Sequence, residues 1–128
     1  MLESREELAR YVDAVLMALK QATALAEGLP SEECDDLLAR LAIVREVAGG
    51  NADHGCSEGP MRLRPDAART LATILAPLSD LEDELCETLR EGSEEEKKRF
   101  ANLVGWLFFE VRRPLSEVQL NVKDPGQG

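Results

Sequence analysis

Apolar residues recur every three or four positions through four long segments of this chain, at 5–27, 32–48, 65–91 and 94–112. That spacing places them on one face of an α-helix. Glycine or proline, which commonly end helices, follows each segment. No two segments show the alternation of apolar and polar residues that paired strands need. The sequence therefore predicts an all-α, single-domain four-helix bundle with up-and-down connections.

The third segment contains Pro77, and two interpretations compete there. Pro77 starts a new helix with Ser79 and Glu82 as its capping box, or it lies inside one kinked helix. The apolar positions keep their phase across the proline: Leu71, Ile74, Leu78, Leu81 and Leu85. Because a chain break would normally lose that phase, we predict one helix, kinked where the proline frees the carbonyl of Thr73.

The chain after the fourth segment is predicted to leave the bundle. Proline lacks a backbone N–H and clashes with the preceding turn, so we expect Pro114 to stop the helix. Val118, Leu120 and Val122 then alternate with polar residues, which is typical of an extended piece. We therefore assign residues 1–114 to the bundle domain and 115–128 to a C-terminal tail that is partly extended or disordered.

The fourth segment carries apolar side chains on more than one side. Phe100, Leu103, Val104, Leu107 and Val111 share one face, whereas Trp106 and Phe109 point the other way, with Ala101 and Gly105 between them. One interpretation is that this helix is central and enclosed by the others. The other is that Ala101, Gly105, Trp106 and Phe109 form an interface, with a homodimer as the first candidate because most oligomers are symmetric dimers.

Acidic residues give the chain a net charge of −10, which argues against direct binding to nucleic acid or to an anionic membrane. Residues 93–128 carry six positive and six negative side chains, so the excess lies in 1–92. The acidic residues either maintain solubility or attract a basic partner protein. The candidate partner surface consists of Glu32, Glu33, Asp35, Asp36, Asp80, Asp83, Glu84 and Glu87.

The loop at 51–64 is long for a compact domain and gathers possible metal ligands at Asp53, His54, Cys56 and Glu58. Zinc prefers a tetrahedral set of Cys and His, and the chain contains one His. That His lies in the loop, so the paired Glu-x-x-His motifs of a di-iron bundle are absent. A polar loop is the simpler interpretation. We predict no metal, no cofactor and no catalytic residues.

The compartment is predicted from the cysteines and the charged beginning of the chain. Cys34, Cys56 and Cys86 are an odd set without paired spacing, which indicates reduced thiols. Cys34 and Cys86 fall in helical patterns and are expected to be small apolar fillers. Charges occupy the start, where a signal peptide would be apolar, and no stretch is long enough to cross a bilayer. We expect a cytoplasmic protein.

These observations favour a non-enzymatic protein that acts by protein–protein interaction, as an adaptor or as an inhibitor of a basic partner. A nucleic-acid-binding protein is one such partner. Two alternatives remain. The first is a small-molecule-binding or enzymatic bundle with a pocket near the aromatic fourth helix. The second is a structural subunit of a larger assembly.

Overall fold

The computed structural model describes residues 4–50 and 60–123, and all secondary structure within them is helical. The elements are α1 (Ser4–Glu27), α2 (Ser31–Ala48), α3 (Pro65–Leu89), α4 (Glu94–Leu107), a π-helical segment (Phe108–Arg112) and α5 (Arg113–Lys123). The last three follow one another without a break, so four helical rods pack together. The predicted all-α helical bundle is confirmed.

The third helix is continuous through Pro77. The interpretation of this segment as one helix is therefore confirmed, whereas the kink at the proline stays a prediction. Pro77 and Thr73 are both exposed, so the interruption of the helical hydrogen bonds falls on the side of α3 away from the core. The opposite side of α3 is buried at Leu71, Leu75, Leu78, Glu82, Leu85 and Leu89.

The chain also remains helical through Pro114, where the sequence predicted a stop. In the π-helical segment the N–H of Arg113 donates to the carbonyl of Phe108, five residues earlier, and α5 continues from there to Lys123. The predicted tail is therefore wrong for residues 115–123, while 124–128 lie outside the described residues. Packing explains the difference, because α5 contacts α3 while Leu115 is buried in the core and Val118 packs against it.

Arg40 of α2 supplies the hydrogen bond that Pro114 cannot make. Pro114 has no N–H to donate to the carbonyl of Glu110, four residues earlier. Arg40 Nη1 donates to that carbonyl at 2.9 Å, and Arg40 is only 2% exposed. Its Nε donates to Asp36 at 3.1 Å, and its Nη1 lies 4.0 Å from Glu110 Oε2. A buried guanidinium thus replaces a missing helical hydrogen bond.

The order of the rods differs from the predicted up-and-down arrangement. α1 packs against α2 and α3, and the rod that begins with α4 packs against the same two helices, so α2 and α3 lie diagonally. Arg62 and Arg64, just before α3, contact Asp36 and Glu33 near the start of α2. Because α2 and α3 begin at the same end of the bundle, they are parallel. The connection between them joins opposite ends, which accounts for its length.

The core is one cluster of apolar side chains contributed by every rod. Met61 and Leu63, in the last residues of the connection, are buried and extend this cluster at the end where α2 and α3 begin. Cys34 is half-buried and packs against the core, as predicted. Cys86 is exposed, so its assignment as an apolar filler is wrong.

Candidate functional site

The four predicted interface residues lie together on the surface of α4 and the π-helical segment. Ala101, Gly105, Trp106 and Phe109, joined by Asn102, line an open groove of about 380 Å³. Phe109 is 54% exposed and the neighbouring Phe108 is 51% exposed. Since a monomer usually covers large aromatic side chains, this surface is suited to contact with another molecule.

Helix geometry explains why the groove faces outward. The buried residues Phe100, Leu103, Leu107 and Val111 lie on one face of the rod, and the groove lies on the opposite face. The rod therefore sits at one corner of the bundle, and the described residues do not enclose it. This excludes the first of the two interpretations of the fourth helix, the central one. The interface function of the groove stays a prediction.

Gly105 is the least expected residue in the groove. Glycine inside a helix is about 1 kcal/mol less favourable than alanine. A Cβ atom built at Gly105 would meet no heavy atom within 4 Å, so packing among the described residues does not require a glycine there. The absence of a side chain leaves the floor of the groove open to the close approach of another molecule.

The acidic residues of α2 are engaged within the chain. Arg64 forms a salt bridge with Glu33 at 3.2 Å, and its backbone N–H donates to the same carboxylate at 2.7 Å. These hydrogen bonds lower the pKa of Glu33. Asp36 accepts hydrogen bonds from Arg40 and from the backbone N–H of Arg62. These two carboxylates therefore fix the end of the connection to the start of α2.

The remaining acidic residues of α2 are more accessible. Glu32 pairs with Arg62 at 3.5 Å, but its side chain is 81% exposed, and Asp35 is exposed as well. An exposed ion pair of this kind contributes little to stability. Arg62 and Arg64 thus both form ion pairs with carboxylates of α2.

On α3 the predicted acidic residues are all at the surface. Asp80, Asp83, Glu84 and Glu87 are exposed within just over two turns, and we call them the α3 acidic face. Glu87 lies 3.6 Å from Arg90, with both side chains 74% exposed. Asp83 is about 27 Å along the helix axis from the start of α3, and the acidic residues of α2 lie near that start. The two clusters therefore do not form a single surface.

Glu82 interrupts the acidic run because it points into the bundle. Arg112 donates to both of its carboxylate oxygens, at 2.7 and 2.9 Å, in a two-pronged ion pair. The hydroxyl of Tyr11 also donates to Glu82. Burial raises the pKa of Tyr11 well above its usual value near 10, and the Glu82 carboxylate raises it further. Arg112 therefore belongs to a largely buried polar cluster with Tyr11 and Glu82.

Sequence reasoning missed this cluster, although a signal was present. Tyr11 and Glu82 recur in phase with the buried residues of α1 and α3, and Arg40 lies on the buried face of α2. A charged residue in phase with an apolar stripe indicates a buried partner of opposite charge, because an unpaired buried charge is costly. The identity of that partner depends on the tertiary arrangement and is not encoded locally.

Neither a metal centre nor a membrane span is indicated by the described residues. Within 4–50 and 60–123, no three His, Cys, Asp or Glu side chains cluster as metal ligands would. The predicted candidate ligands, Asp53, His54, Cys56 and Glu58, lie outside the described residues. None of the described helices is both long enough and apolar enough to span a bilayer.

Comparison with known proteins gives no relative. No family model, curated protein or solved structure matches the chain. Two surfaces of the described residues are candidates for a functional contact, the apolar groove of α4 and the α3 acidic face.

Proposed function

We propose that this protein acts by binding another protein and that it has no catalytic activity of its own. The supporting observation is the α3 acidic face, where four carboxylates stand exposed within just over two turns. Such a surface attracts and orients a partner that carries a basic surface. The role is that of an adaptor or an inhibitor, with a nucleic-acid-binding protein as one suitable partner.

The groove of α4 is, in this proposal, a second protein contact. Its exposed Phe109 and half-buried Trp106 are the residue types that dominate protein interfaces. We propose that it makes the protein a homodimer and that the protein works in the cytoplasm. The α3 acidic face lies on a different helix, so one molecule can use both contacts.

A small-molecule site is the second candidate for the groove. Its volume of about 380 Å³ falls within the usual range for ligand pockets. Among its described lining residues only Asn102 and Trp106 have side chains with polar groups, however, and ligand pockets fix orientation with several convergent polar groups. The groove therefore suits a protein surface better than a metabolite. A structural role in a larger assembly would use the same two surfaces.

Neutralising the α3 acidic face tests the proposal. The variant Asp80→Asn, Asp83→Asn, Glu84→Gln, Glu87→Gln removes four charges without removing side-chain volume. A matched control removes four exposed charges from α1 and α2: Glu6→Gln, Asp13→Asn, Glu27→Gln, Glu46→Gln. Tagged wild-type and variant proteins are used to capture partners from native cells at low salt, and quantitative mass spectrometry identifies what each retains.

The expected result is a basic protein that wild type and control capture and that the α3 variant loses. The captured protein should also elute as salt is raised, because exposed charges are screened. Equal capture by all three proteins would contradict a role for the α3 acidic face. Capture of an acidic partner, resistant to salt, would contradict the electrostatic mechanism.

A further inference from the structure

We infer that residues 60–64 and helix α5 open as one conformational unit, linked through Asp36 and Arg40, so that release of either segment releases the other. We call residues 60–64 the strap, because they hold the beginning of α3 to the beginning of α2. This inference goes beyond the proposed function, since neither the α3 acidic face nor the groove of α4 includes the strap or α5. It assigns a regulatory device to the bundle.

The strap is attached to the bundle by apolar and polar contacts in alternation. Met61 and Leu63 are buried in the core, at 5% and 8% exposed. Arg62 and Arg64 alternate with them, are exposed, and donate their backbone N–H groups to carboxylates of α2. The strap is therefore a docked segment, and its release uncovers apolar side chains of the core.

One carboxylate oxygen joins the strap to Arg40. Asp36 Oδ2 accepts from the N–H of Arg62 at 3.0 Å and from Arg40 Nε at 3.1 Å. Arg40 is 2% exposed, and a charge buried to that extent depends on its partners staying in position. Release of the strap removes one of the two donors that hold Asp36, and water then competes for the carboxylate. Arg40 is therefore held less firmly when the strap is released.

Arg40 joins the same network to the start of α5. Its Nη1 donates at 2.9 Å to the carbonyl of Glu110, which lacks a helical donor because Pro114 has no N–H. Pro114 is the second residue of α5, so this hydrogen bond supports the first turn of the helix. If Arg40 moves, a buried carbonyl loses its donor, which is unfavourable, and the first turn of α5 is weakened.

α5 has few other attachments that would keep it in place. It packs mainly against α3, whereas α1 packs against both α2 and α3. Among its described side chains, the contacts with the core are made by Leu115, which is 4% exposed, and by the partly buried Val118. In native proteins, segments with few buried apolar contacts open at a lower free energy than the core. A loss of support at its first turn therefore releases α5 while α1, α2 and α3 stay folded.

Coupling of this kind acts in both directions. The two segments lie at the ends of one hydrogen-bonded chain, which runs from Arg62 through Asp36 and Arg40 to the carbonyl of Glu110. A partner that binds α5 away from α3 favours release of the strap, and a partner that holds the strap against α2 keeps α5 helical. Binding at one segment therefore changes the state of the other.

Native-state hydrogen exchange of the wild-type protein tests the unit directly. NMR follows the N–H of Arg62 and the N–H groups of residues 116–118 while low concentrations of urea are added. We expect both sets to open with the same free energy and the same dependence on urea, whereas the core of α1 opens at a higher free energy. Different opening free energies, or different urea dependences, for the two segments would overturn the inference.

Two matched leucine substitutions separate this coupling from general destabilisation. Leu63→Ala loosens the strap and should raise amide exchange in α5 by about tenfold. Leu8→Ala makes the same change at a buried position near the start of α1, and it should change exchange in α5 by less than about twofold. No rise with Leu63→Ala, or an equal rise with Leu8→Ala, would contradict the coupled unit.

A third substitution tests the path of the coupling. Asp36→Ala removes the carboxylate that joins the strap to Arg40, so exchange in α5 should already be raised in this variant. Adding Leu63→Ala to Asp36→Ala should then give no further rise, because the two segments are no longer connected. The same rise from Leu63→Ala in both backgrounds would show that the coupling does not pass through Asp36.

Discussion

Charged side chains in the interior of this bundle link its rods through hydrogen bonds and ion pairs. Glu82 on α3 joins Tyr11 on α1 to Arg112 in the π-helical segment, so one carboxylate links three rods. The side chains of Arg112 and Glu82 are 20% and 11% exposed, which means that each has lost most of its hydration. Each charge compensates for the hydration that the other has lost, because either charge alone would be poorly solvated.

Removing one member of this pair should cost far more than removing both. We expect Arg112→Met to lower the free energy of unfolding by about 3 kcal/mol, because Glu82 stays buried without its cation. The double variant Glu82→Met, Arg112→Met should recover most of that loss. Urea denaturation of wild type, both single variants and the double variant measures the coupling. If the two single losses simply added, the ion pair would have no energetic role.

Tyr11 is the only tyrosine, so its ionisation can be followed without interference from another phenol. Its pKa is raised in the folded protein, first by burial and then by the Glu82 carboxylate. A raised pKa means that its contribution to stability is complete below pH 10, the unfolded value, and declines as the pH rises above it. We expect tyrosinate absorbance to appear only as helical circular dichroism is lost. Ionisation near pH 10 with the helices intact would contradict the buried hydrogen bond to Glu82.

At the level of elements, local rules predicted where helices begin more reliably than where the last one ends. A Ser three residues before a Glu is typical of a helix start, and Ser93 caps α4 in this way, since its Oγ accepts from the N–H of Glu96 at 3.1 Å. Ser31 is also a residue type that commonly caps a helix, but Pro30 holds the N-cap position of α2 and no side-chain cap forms. At Pro114 the rule failed because a residue 70 positions away in sequence from Glu110 supplies the missing donor. Such a contact depends on the assembled bundle.

The link between Arg40 and Pro114 can be tested by changing both. We expect Arg40→Met to cost about 2 to 3 kcal/mol, because it removes buried hydrogen bonds to Glu110 and Asp36. In a Pro114→Ala background the cost should fall by about 1 kcal/mol, since the substituted alanine provides a backbone N–H for the Glu110 carbonyl. Chemical denaturation of the four proteins measures this difference. An unchanged cost would show that Arg40 does not compensate for the proline.

The predicted surface residues also show which features follow from the local sequence and which depend on the tertiary structure. Periodicity alone placed Ala101, Gly105, Trp106 and Phe109 on one side of a helix, and the structure brings them into one groove. Composition alone grouped the acidic residues of α2 with those of α3. The structure separates the two clusters, because α2 and α3 are parallel and diagonal and the acidic residues lie near the start of α2 but toward the end of α3. In addition, Glu33 is engaged in an ion pair with Arg64. Helix faces follow from sequence spacing, whereas the relation between helices requires the long-range contacts.

At the scale of the whole molecule, charge is distributed unevenly over the bundle. Residues 1–92 hold the entire net charge of −10, and the rod that begins with α4 belongs to the neutral remainder. Two proposed contacts thus lie in different electrostatic surroundings. The α3 acidic face attracts opposite charge, while the α4 groove offers apolar surface flanked by charges of both signs. The same solvent change should therefore affect the two contacts differently.

Raising salt from about 50 mM to about 500 mM separates the two contacts, because it shortens the screening length severalfold. Binding of the basic partner should weaken by about tenfold or more, since it depends on exposed charges. Self-association should stay within about twofold or tighten, because screening also reduces the repulsion between two chains of −10 each. Sedimentation equilibrium and partner titration on the same preparation give both responses. If self-association weakened in parallel with partner binding, the dimer would be held by the acidic faces, and the assignment of the neutral rod to the dimer would be wrong.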